Sequence, residues 1–437
     1  MDELTSHPLA RARTALGMTR VALAAAIQAA AERHGLRSGV DKARIRKWEV
    51  LGVTPSEDSQ LYIAESFGIP ADAVDPSAWP DWLLGVDGGV VALGPHSTVP
   101  AIREALSTDM ERRTFLTVSG TALTGLAASW ATSEAHASAV QLLADKPVGE
   151  DIVTFLEDTS TRLTSVATEQ RQHLATLLDA HLATVTELID TGRYSAPVGV
   201  RLHTLAASLS QTVAWHRFDI GRHTAAAKYW VAGLHSAHAA GDRDMGAALL
   251  GDLAYQAAWR SDHATASEIL QRALARTVHP AARSLLHLRL ARALAAQGER
   301  HATLRSLDAA EHLLASAGHD RPAWCSWLTE ADLLVDSGQC LLNLGDTSRA
   351  HHLIGEGQAL LPAARDKTRG VFLAYRAESH LSLKEPELAA EAARESLRLA
   401  HRIGAPRCVK LVKDLLPGFD RYRAAEGVPE LMELAAV

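Results

Sequence analysis

Six similar segments recur along this 437-residue chain and constrain its fold more than any other feature. Each has a short polar or glycine turn, then small residues, then an apolar helical pattern: TGRYSAPVGV, IGRHTAAAKYW, RSDHATASEIL, QGERHATLRSL, LGDTSRAHHLI and LKEPELAAEAA. Their turns fall near Gly192, Gly221, Ser261, Gly298, Gly345 and Lys384, at offsets of about 29 to 47 residues that cluster near 40. Units of this length stack so that neighbours bury one another's apolar faces. The pattern therefore predicts a solenoid of helical hairpins.

Small residues after each turn allow two helices to approach closely, and we expect Ala225, Ala226, Ala350 and Ala389 to make such contacts. Abundant Ala and Leu, with aromatic residues at only 5%, favour an all-α architecture. Over roughly Ile152–His401 the chain resembles tetratricopeptide-repeat proteins, whose ideal repeat is about 34 residues. A generic α-solenoid is the alternative.

A second pattern lies between Leu9 and Pro70 and consists of four short amphipathic helices. The first, LARARTALG, places Leu9, Ala12 and Leu16 on one face and ends at Gly17. Thr19 is a good N-cap for the second, VALAAAI. Asp41 caps the third, DKARIRKWE, and SQLYIAESFGIP forms the fourth. The turn between the second and third helices is lengthened by QAAAERHGLRSG.

This segment resembles the helix-turn-helix domain of the Cro/repressor class, the XRE family. The resemblance rests on G-x-T, L-A, I-x-x-W-E, a Pro and a final L-x-x-A, carried by Gly17, Thr19, Leu23, Ala24, Ile45, Trp48, Glu49, Gly52, Pro55, Leu61, Ala64, Phe67 and Gly68. The enlarged turn, and the extra residue in WEVLG, are similar to those of a group of actinobacterial regulators. The resemblance implies binding to double-stranded DNA.

The third helix has the layout that a DNA-reading helix requires. Ile45 and Trp48 share an inward face, while Lys42, Arg44, Arg46 and Lys47 surround the rest of the helix. Arg20 opens the preceding helix, where it could contact phosphate. Nine cations against two anions between Arg11 and Lys47 give a local charge of +7 in a chain of net charge −7. We therefore predict DNA contacts from Arg20, Lys42, Arg44, Arg46 and Lys47; a merely solvated basic face is the alternative.

The stretch ERRTFLTVSGTALTGLAASW, Glu111–Trp130, has the twin arginines of an export signal but begins more than a hundred residues into the chain. Phe115, Val118, Ala122, Leu126 and Trp130 recur at helical spacing, and small residues fill the other faces. We predict an ordinary internal helix, and RRTFL segments in the same regulators favour that reading. The alternatives are an exported protein and a signal-like sequence reused as a linker helix.

These patterns divide the chain into a helix-turn-helix domain (1–84), a Gly/Pro-rich linker (85–100), a connecting helical region (101–150) and a repeat domain (151–437). Cys325, Cys340 and Cys408 are odd in number and far apart, which suits a reducing cytoplasm rather than a disulfide framework. Among the 21 histidines, His235 and His238 have a spacing of three that could bind a metal, but no carboxylate nearby in the sequence completes a set. Adjacent His351 and His352 would point about 100° apart on a helix and do not easily share one ion. No nucleophile or nucleotide motif is present in the sequence, so we expect no enzyme, no cofactor and no metal.

Taken together, these patterns favour a cytoplasmic, homodimeric transcriptional regulator that binds a DNA operator and senses a small-molecule, peptide or protein effector through its repeats. Its architecture resembles that of repeat-containing quorum-type regulators. The alternative is a non-enzymatic interaction scaffold with a degenerate helix-turn-helix. Tryptophans in the repeats are expected in the core, although a concave ligand face would leave Arg217, Arg222, Lys228 and Arg260 to meet an effector carboxylate.

Overall fold

The computed structural model describes residues 7–15, 18–66, 74, 76, 79–80, 93, 97–108, 120–132, 146–165, 172–318 and 321–436. The N-terminal unit contains four helices: α1 Pro8–Ala15, α2 Arg20–Arg33, α3 Lys42–Val50 and α4 Glu57–Ser66. Helix α2 packs on α3 and α4, and α1 packs on α3. These helices enclose a small core of their own: Leu9, Ala12, Leu23, Ala24, Ile27, Val40, Ile45, Trp48, Ile63 and Ala64. Leu9 and Ala12 are buried as predicted, whereas Leu16, Gly17, Phe67 and Gly68 lie outside the described residues.

The prediction of a short second helix followed by a long turn is wrong in part. Helix α2 continues through QAAAER to Arg33, so the connection to α3 is only His34–Asp41. Alanine has the highest helix propensity, and Ala30 and Ala31 also bury their side chains against the core. The helix ends where Gly35 adopts φ 73° and Leu36 N–H donates to the carbonyl of Ala31.

The rest of the described chain is almost wholly helical. Sixteen further α-helices follow: α5 Thr98–Thr108, α6 Gly120–Thr132, α7 Glu150–Ser165, α8 Ala175–Thr191, α9 Ala196–Asp219, α10 His223–Ala240, α11 Arg243–Trp259, α12 His263–Leu274, α13 Pro280–Ala296, α14 Arg300–Ser316, α15 Glu330–Asn343, α16 Thr347–Leu360, α17 Asp366–Ser382, α18 Pro386–Ile403, α19 Pro406–Leu415 and α20 Val428–Ala436. Short 3-10 turns lie at Gln172–Leu174, Ala323–Cys325 and Leu416–Tyr422. The predicted all-α fold with a solenoid of helical hairpins is confirmed. Within the described residues, no helix is both long and apolar enough to cross a bilayer.

Five consecutive helical hairpins form the solenoid, namely α9–α10, α11–α12, α13–α14, α15–α16 and α17–α18. Neighbouring hairpins pack on one another, as in α10 with α11 and α12 with α13. The predicted small contacts, Ala225, Ala226, Ala350 and Ala389, are all buried. At Gly338 in α15, an added Cβ would lie 2.8 Å from the carbonyl oxygen of Ala350 in α16, so only a small residue fits there.

The hairpin turns coincide with five of the six predicted positions. Gly221, Gly298 and Gly345 adopt a left-handed backbone, and so do the non-glycine residues Ser261 and Lys384, whose φ values are 66° and 65°. A left-handed residue ends each first helix and allows the chain to reverse. Gly192 differs, because it is extended and pairs with Lys146 in a two-residue parallel ladder, β1 Lys146–Pro147 with β2 Gly192–Arg193.

The region before the repeats packs into the same core as the first hairpins. Helix α5 lies on α10 and α6 lies on α12, the second helices of their hairpins. Helix α6 contains the described half of the twin-arginine stretch, and it buries Leu126 and Trp130 as predicted for an internal helix. Residues 109–119, with Phe115 and Val118, lie outside the described residues. The predicted linker, 85–100, already contains the first turn of α5.

Candidate nucleic-acid interface

Helix α3 is positioned by a cap at its start and by three buried side chains. The Asp41 carboxylate accepts from the backbone N–H of Arg44 at 2.8 Å, which satisfies one free donor of the first turn. Ile45 and Trp48 are 0% and 1% exposed, as the spacing predicted. Glu49 shares this buried side, so α3 presents only its other faces to solvent.

Glu49 fixes the helix by two ion pairs that the sequence pattern did not reveal. Its Oε1 accepts from Arg13 Nε of α1 at 2.7 Å, and its Oε2 accepts from Arg20 Nε of α2 at 2.5 Å. Arg13 also donates to the carbonyl of Met18 at 2.7 Å. The carboxylate side chain is fully buried, whereas the Arg20 side chain remains 35% exposed. One buried anion therefore ties three helices together and holds α3 in a fixed orientation.

The predicted DNA-contacting cations on α3 all lie on its exposed side: Lys42, Arg44, Arg46 and Lys47. Within the part of the chain that the structure describes, none of these four forms an ion pair. By contrast, Arg33 at the end of α2 is paired with Glu65 at 2.7 Å, and His34 contacts the same carboxylate. Helix α3 thus has a buried side that fixes its position and an exposed side with uncompensated positive charge. Arg20 serves both the anchor and the exposed surface, because only its Nε contacts Glu49 and its side chain is partly exposed.

The four predicted effector residues lie in different surroundings. Arg217 is buried, and its guanidinium donates to Asp179 at 2.5 Å and lies over the ring of Tyr229. Lys228 is paired with Glu104 of α5 at 3.1 Å. Arg222 and Arg260 are exposed near the hairpin turns. Two of the four are thus held by carboxylates of other helices, and their role with an effector stays a prediction.

Most of the repeat tryptophans belong to an aromatic cluster in the first two hairpins. Trp230 is fully buried, and Trp215 contacts Phe218, Trp230 and Tyr255 with ring centroids 5.4 to 5.6 Å apart. Trp327 is different, since 42% of it is exposed.

Two of the histidines considered as metal ligands contact serine hydroxyls, and the three cysteines are buried. His235 contacts Ser97 Oγ at 2.7 Å, and His351 contacts Ser379 Oγ at 3.0 Å. Cys325, Cys340 and Cys408 are free thiols in the interior, where burial raises their pKa. No group of three or more His, Cys, Asp or Glu side chains suited to a metal ion occurs within the described ranges.

A second group of polar and charged residues joins the first helices of successive hairpins, and the sequence pattern did not reveal it. Asp252 on α11 is paired with Arg289 on α13 at 2.7 Å, and Arg292 contacts Asp336 on α15 and Tyr375 on α17. Their signal in the sequence is weak, because Arg and Asp are common on any helix. Only their contacts across the array distinguish them.

No family model matches the sequence, and no curated protein matches it. Among solved structures, the chain is similar to the hetero-tetramer described as APC/C Cut9–Hcn1, with 13% identity, 87% of this chain and 76% of that chain covered, and a TM-score of 0.26. The repeat architecture is therefore established by the helices themselves rather than by this likeness.

Proposed function

We propose that the chain is a sequence-specific regulator that binds double-stranded DNA through α3. The observation that supports the proposal is the exposed, unpaired set Lys42, Arg44, Arg46 and Lys47 on a helix whose other side is anchored by Ile45, Trp48 and Glu49. By contrast, the exposed Arg33 of α2 is paired with Glu65, and the exposed Arg103 of α5 is paired with Asp190. Uncompensated cations on a rigid support suit a polyanion.

Helix α3 also has dimensions that suit the major groove. An α-helix with its side chains is about 10–12 Å in diameter, and the major groove is about 12 Å wide. With α3 in the groove, arginines can donate two hydrogen bonds to guanine, and lysines can contact phosphates. Arg20 would then contact phosphate with the guanidinium nitrogens that Glu49 leaves free.

The repeats supply a second role in this proposal. Hairpin solenoids offer large surfaces and change curvature by small rotations between repeats. In a cytoplasmic homodimer, such a change in response to an effector or partner would alter the spacing of two copies of α3 and hence of two half-sites. A non-enzymatic interaction scaffold is the competing function, and the same experiment separates the two.

Selection of bound fragments from genomic DNA with the purified full chain tests the proposal. We expect enrichment of a defined site, and an inverted repeat would indicate a two-fold symmetric dimer. The double variant Arg44→Ala/Arg46→Ala should weaken binding to that site by about 100-fold, because a bidentate contact to a base contributes about 1–3 kcal/mol. The salt dependence of binding should also become shallower.

The matched control is Arg398→Ala/Lys413→Ala, which removes the same charge from exposed positions on the repeats. It should leave DNA affinity within about two-fold of the parent protein, since surface charge far from the groove acts only by weak, screened attraction. If no fragment is enriched, or if both double variants bind DNA equally well, the DNA-binding proposal is wrong and the scaffold is favoured.

A further inference from the structure

The two ends of the repeat array touch each other. In an open solenoid each repeat contacts only its neighbours. Here Lys367 Nζ on α17 is 2.6 Å from Asp219 Oδ2 at the end of α9, across 148 residues of sequence. Arg407 on α19 donates to the hydroxyl of Tyr255 on α11, across 152 residues. The hairpins therefore close on themselves through a few side chains near Asp219.

Arg407 lies in a cage of aromatic rings from the opposite end of the array. Its Cζ is 5.7 Å from the ring centroid of Phe218, 5.1 Å from that of Tyr255 and 5.5 Å from that of Trp259. These distances are those of cation–π contacts, which are strongest where water is excluded. Burial raises the pKa of Tyr255 to about 12, so its neutral hydroxyl is available as an acceptor. We call Phe218, Asp219, Tyr255 and Trp259 the cation cage.

The walls of the cage do not depend on Arg407 for their positions. Phe218 is 1% exposed, and its ring centroid lies 5.8 Å from Tyr255 and 5.7 Å from Trp259. Both contacts are within the first two hairpins, α9–α10 and α11–α12, whereas Arg407 arrives from α19. The first two hairpins thus form the site, and α19, the helix that follows the last hairpin, supplies its occupant.

The fit between the occupant and the cage is incomplete. Arg407 Nε and Asp219 Oδ1 are both buried without a hydrogen-bond partner, and Arg407 Nη1 stands 3.9 Å from that oxygen, beyond hydrogen-bond distance. By contrast, Arg365 binds Asp332 with two hydrogen bonds of 2.8 and 2.9 Å. A buried polar group left without a partner destabilises the arrangement that holds it. A guanidinium that is free to orient could satisfy groups that Arg407, tethered to α19, leaves unpaired.

We propose that the cation cage is a binding site for a guanidinium group, that Arg407 occupies it in the closed solenoid, and that a guanidinium-bearing ligand displaces Arg407 and opens the repeats. Phe218, Tyr255 and Trp259 face the planar cation, and Asp219 balances its charge. Lys367 remains on the other oxygen of Asp219 and has to move if the array opens fully. This deepens the sensing role proposed for the repeats and does not depend on DNA binding.

The cation cage prefers a ligand of the opposite charge to the one expected from the sequence. Arg217, Arg222, Lys228 and Arg260 suggested a ligand with a carboxylate, whereas the cage accepts a cation. The rim is accessible, because 17% of the Arg407 side chain and 15% of the Asp219 side chain remain exposed. A ligand can therefore reach the cage from solvent and compete with Arg407.

The test uses the full chain, N-acetyl-arginine amide as the probe, and N-acetyl-norleucine amide as the uncharged comparison. Arg407→Ala should bind the arginine probe at least 10-fold more tightly than the parent chain, and the fluorescence of the nearby tryptophans measures this binding. The same variant should have a larger radius of gyration in solution scattering. Adding Trp259→Leu to Arg407→Ala should reduce probe affinity by about 10-fold. The norleucine probe should not bind.

Arg402→Ala is the matched control, since Arg402 is a 69% exposed arginine one helix away that pairs with Asp366. It should change neither the radius of gyration nor probe binding. If Arg407→Ala does not fold, Arg407→Lys keeps the charge but loses the planar fork, and it should bind the probe more tightly than the parent chain. Equal probe affinity in the parent chain, the Arg407 variant and the Trp259 double variant would overturn the proposal. Because no DNA is present, this result is separate from the outcome for α3.

Discussion

The arginines on the outer face of α3 and three arginines between helices of the repeats have opposite surroundings. On α3 of the N-terminal unit, Arg44 and Arg46 are exposed and lack an ion pair within the described residues. In the repeats, Arg289, Arg292 and Arg365 are held by carboxylates of neighbouring helices. A basic residue therefore indicates a binding surface only where the fold leaves its charge uncompensated.

The two regions nevertheless use the same device to hold their helices together, a buried carboxylate that receives more than one donor. Glu49 joins α1, α2 and α3, and Asp252 joins α9, α11 and α13 through Gln211, Trp215 and Arg289. Removing one partner of a buried ion pair costs about 3–5 kcal/mol, because the other charge stays buried without compensation. The degree of burial should decide which region loses more.

The largest effect is expected at Asp252. Its side chain is 2% exposed and that of Arg289 is 9% exposed, so Asp252→Ala leaves a buried cation unpaired. We expect the free energy of unfolding of the repeats to fall by about 4 kcal/mol. Urea unfolding followed by far-UV circular dichroism measures it. The exposed Asp308→Ala should stay within about 0.5 kcal/mol, and a similar small loss at Asp252 would remove the contrast between the regions.

Glu49→Ala should have the next largest effect and should act on the N-terminal unit alone. The side chains of its two arginine partners are 13% and 35% exposed and regain some hydration, so we expect a loss of about 3 kcal/mol, at the lower end for buried pairs. Amide hydrogen exchange should show lost protection in α1–α3 with unchanged protection in the hairpins. Exposed Glu32→Ala is the control. Lost protection in the hairpins would mean that the two cores are coupled.

Acid should affect the repeats through buried histidine. Burial lowers the pKa of His203 to about 4, from 6.5 in the unfolded chain. The unfolded state therefore binds a proton at His203 more tightly than the folded state does. Protonation of His203 costs no stability above pH 6.5, and stability is lost as the pH falls from 6.5 toward 4. The loss is about 2 kcal/mol at pH 5.

His203→Leu should reduce the difference in unfolding free energy between pH 7 and pH 5 by that amount. His301→Leu at an exposed position should leave the difference unchanged. An unaltered difference in the His203 variant would show that its imidazole is hydrated in the folded chain.

The smallest prediction concerns where the repeat region begins. A Cβ on Gly246 of α11 would lie 2.6 Å from Nε1 of Trp130 on α6, so Gly246→Ala should cost about 1 kcal/mol by displacing α6. Gly355→Ala on α16 meets nothing within 4 Å and should stabilise the chain by about 0.5–1 kcal/mol through helix propensity. Thermal unfolding compares the two variants. Stabilisation by both would show that α6 is not docked on the repeats.

Features that depend on nearby residues could be predicted from the amino-acid sequence. The hairpin turns at Gly221, Ser261, Gly298, Gly345 and Lys384 follow from local backbone preferences, and the burial of Ile45 and Trp48 follows from a spacing of three on one helix. The exposure of the α3 cations could be predicted for the same reason, because helical spacing assigns them to the side opposite Ile45 and Trp48. DNA binding itself stays a prediction.

Which charges are compensated depends on contacts between residues that are far apart in the sequence. Glu49 binds residues 29 and 36 positions away, and Asp219 meets Lys367 across 148. Such pairs depend on the orientation of whole helices and on curvature that accumulates over several hairpins. Helical periodicity assigns a side chain to a face, but it does not state what lies opposite that face. For this reason the sequence suggested Arg217 as a ligand contact, whereas the structure pairs it with Asp179. Nothing in the sequence around Arg407 indicated its contact with the ring of Tyr255.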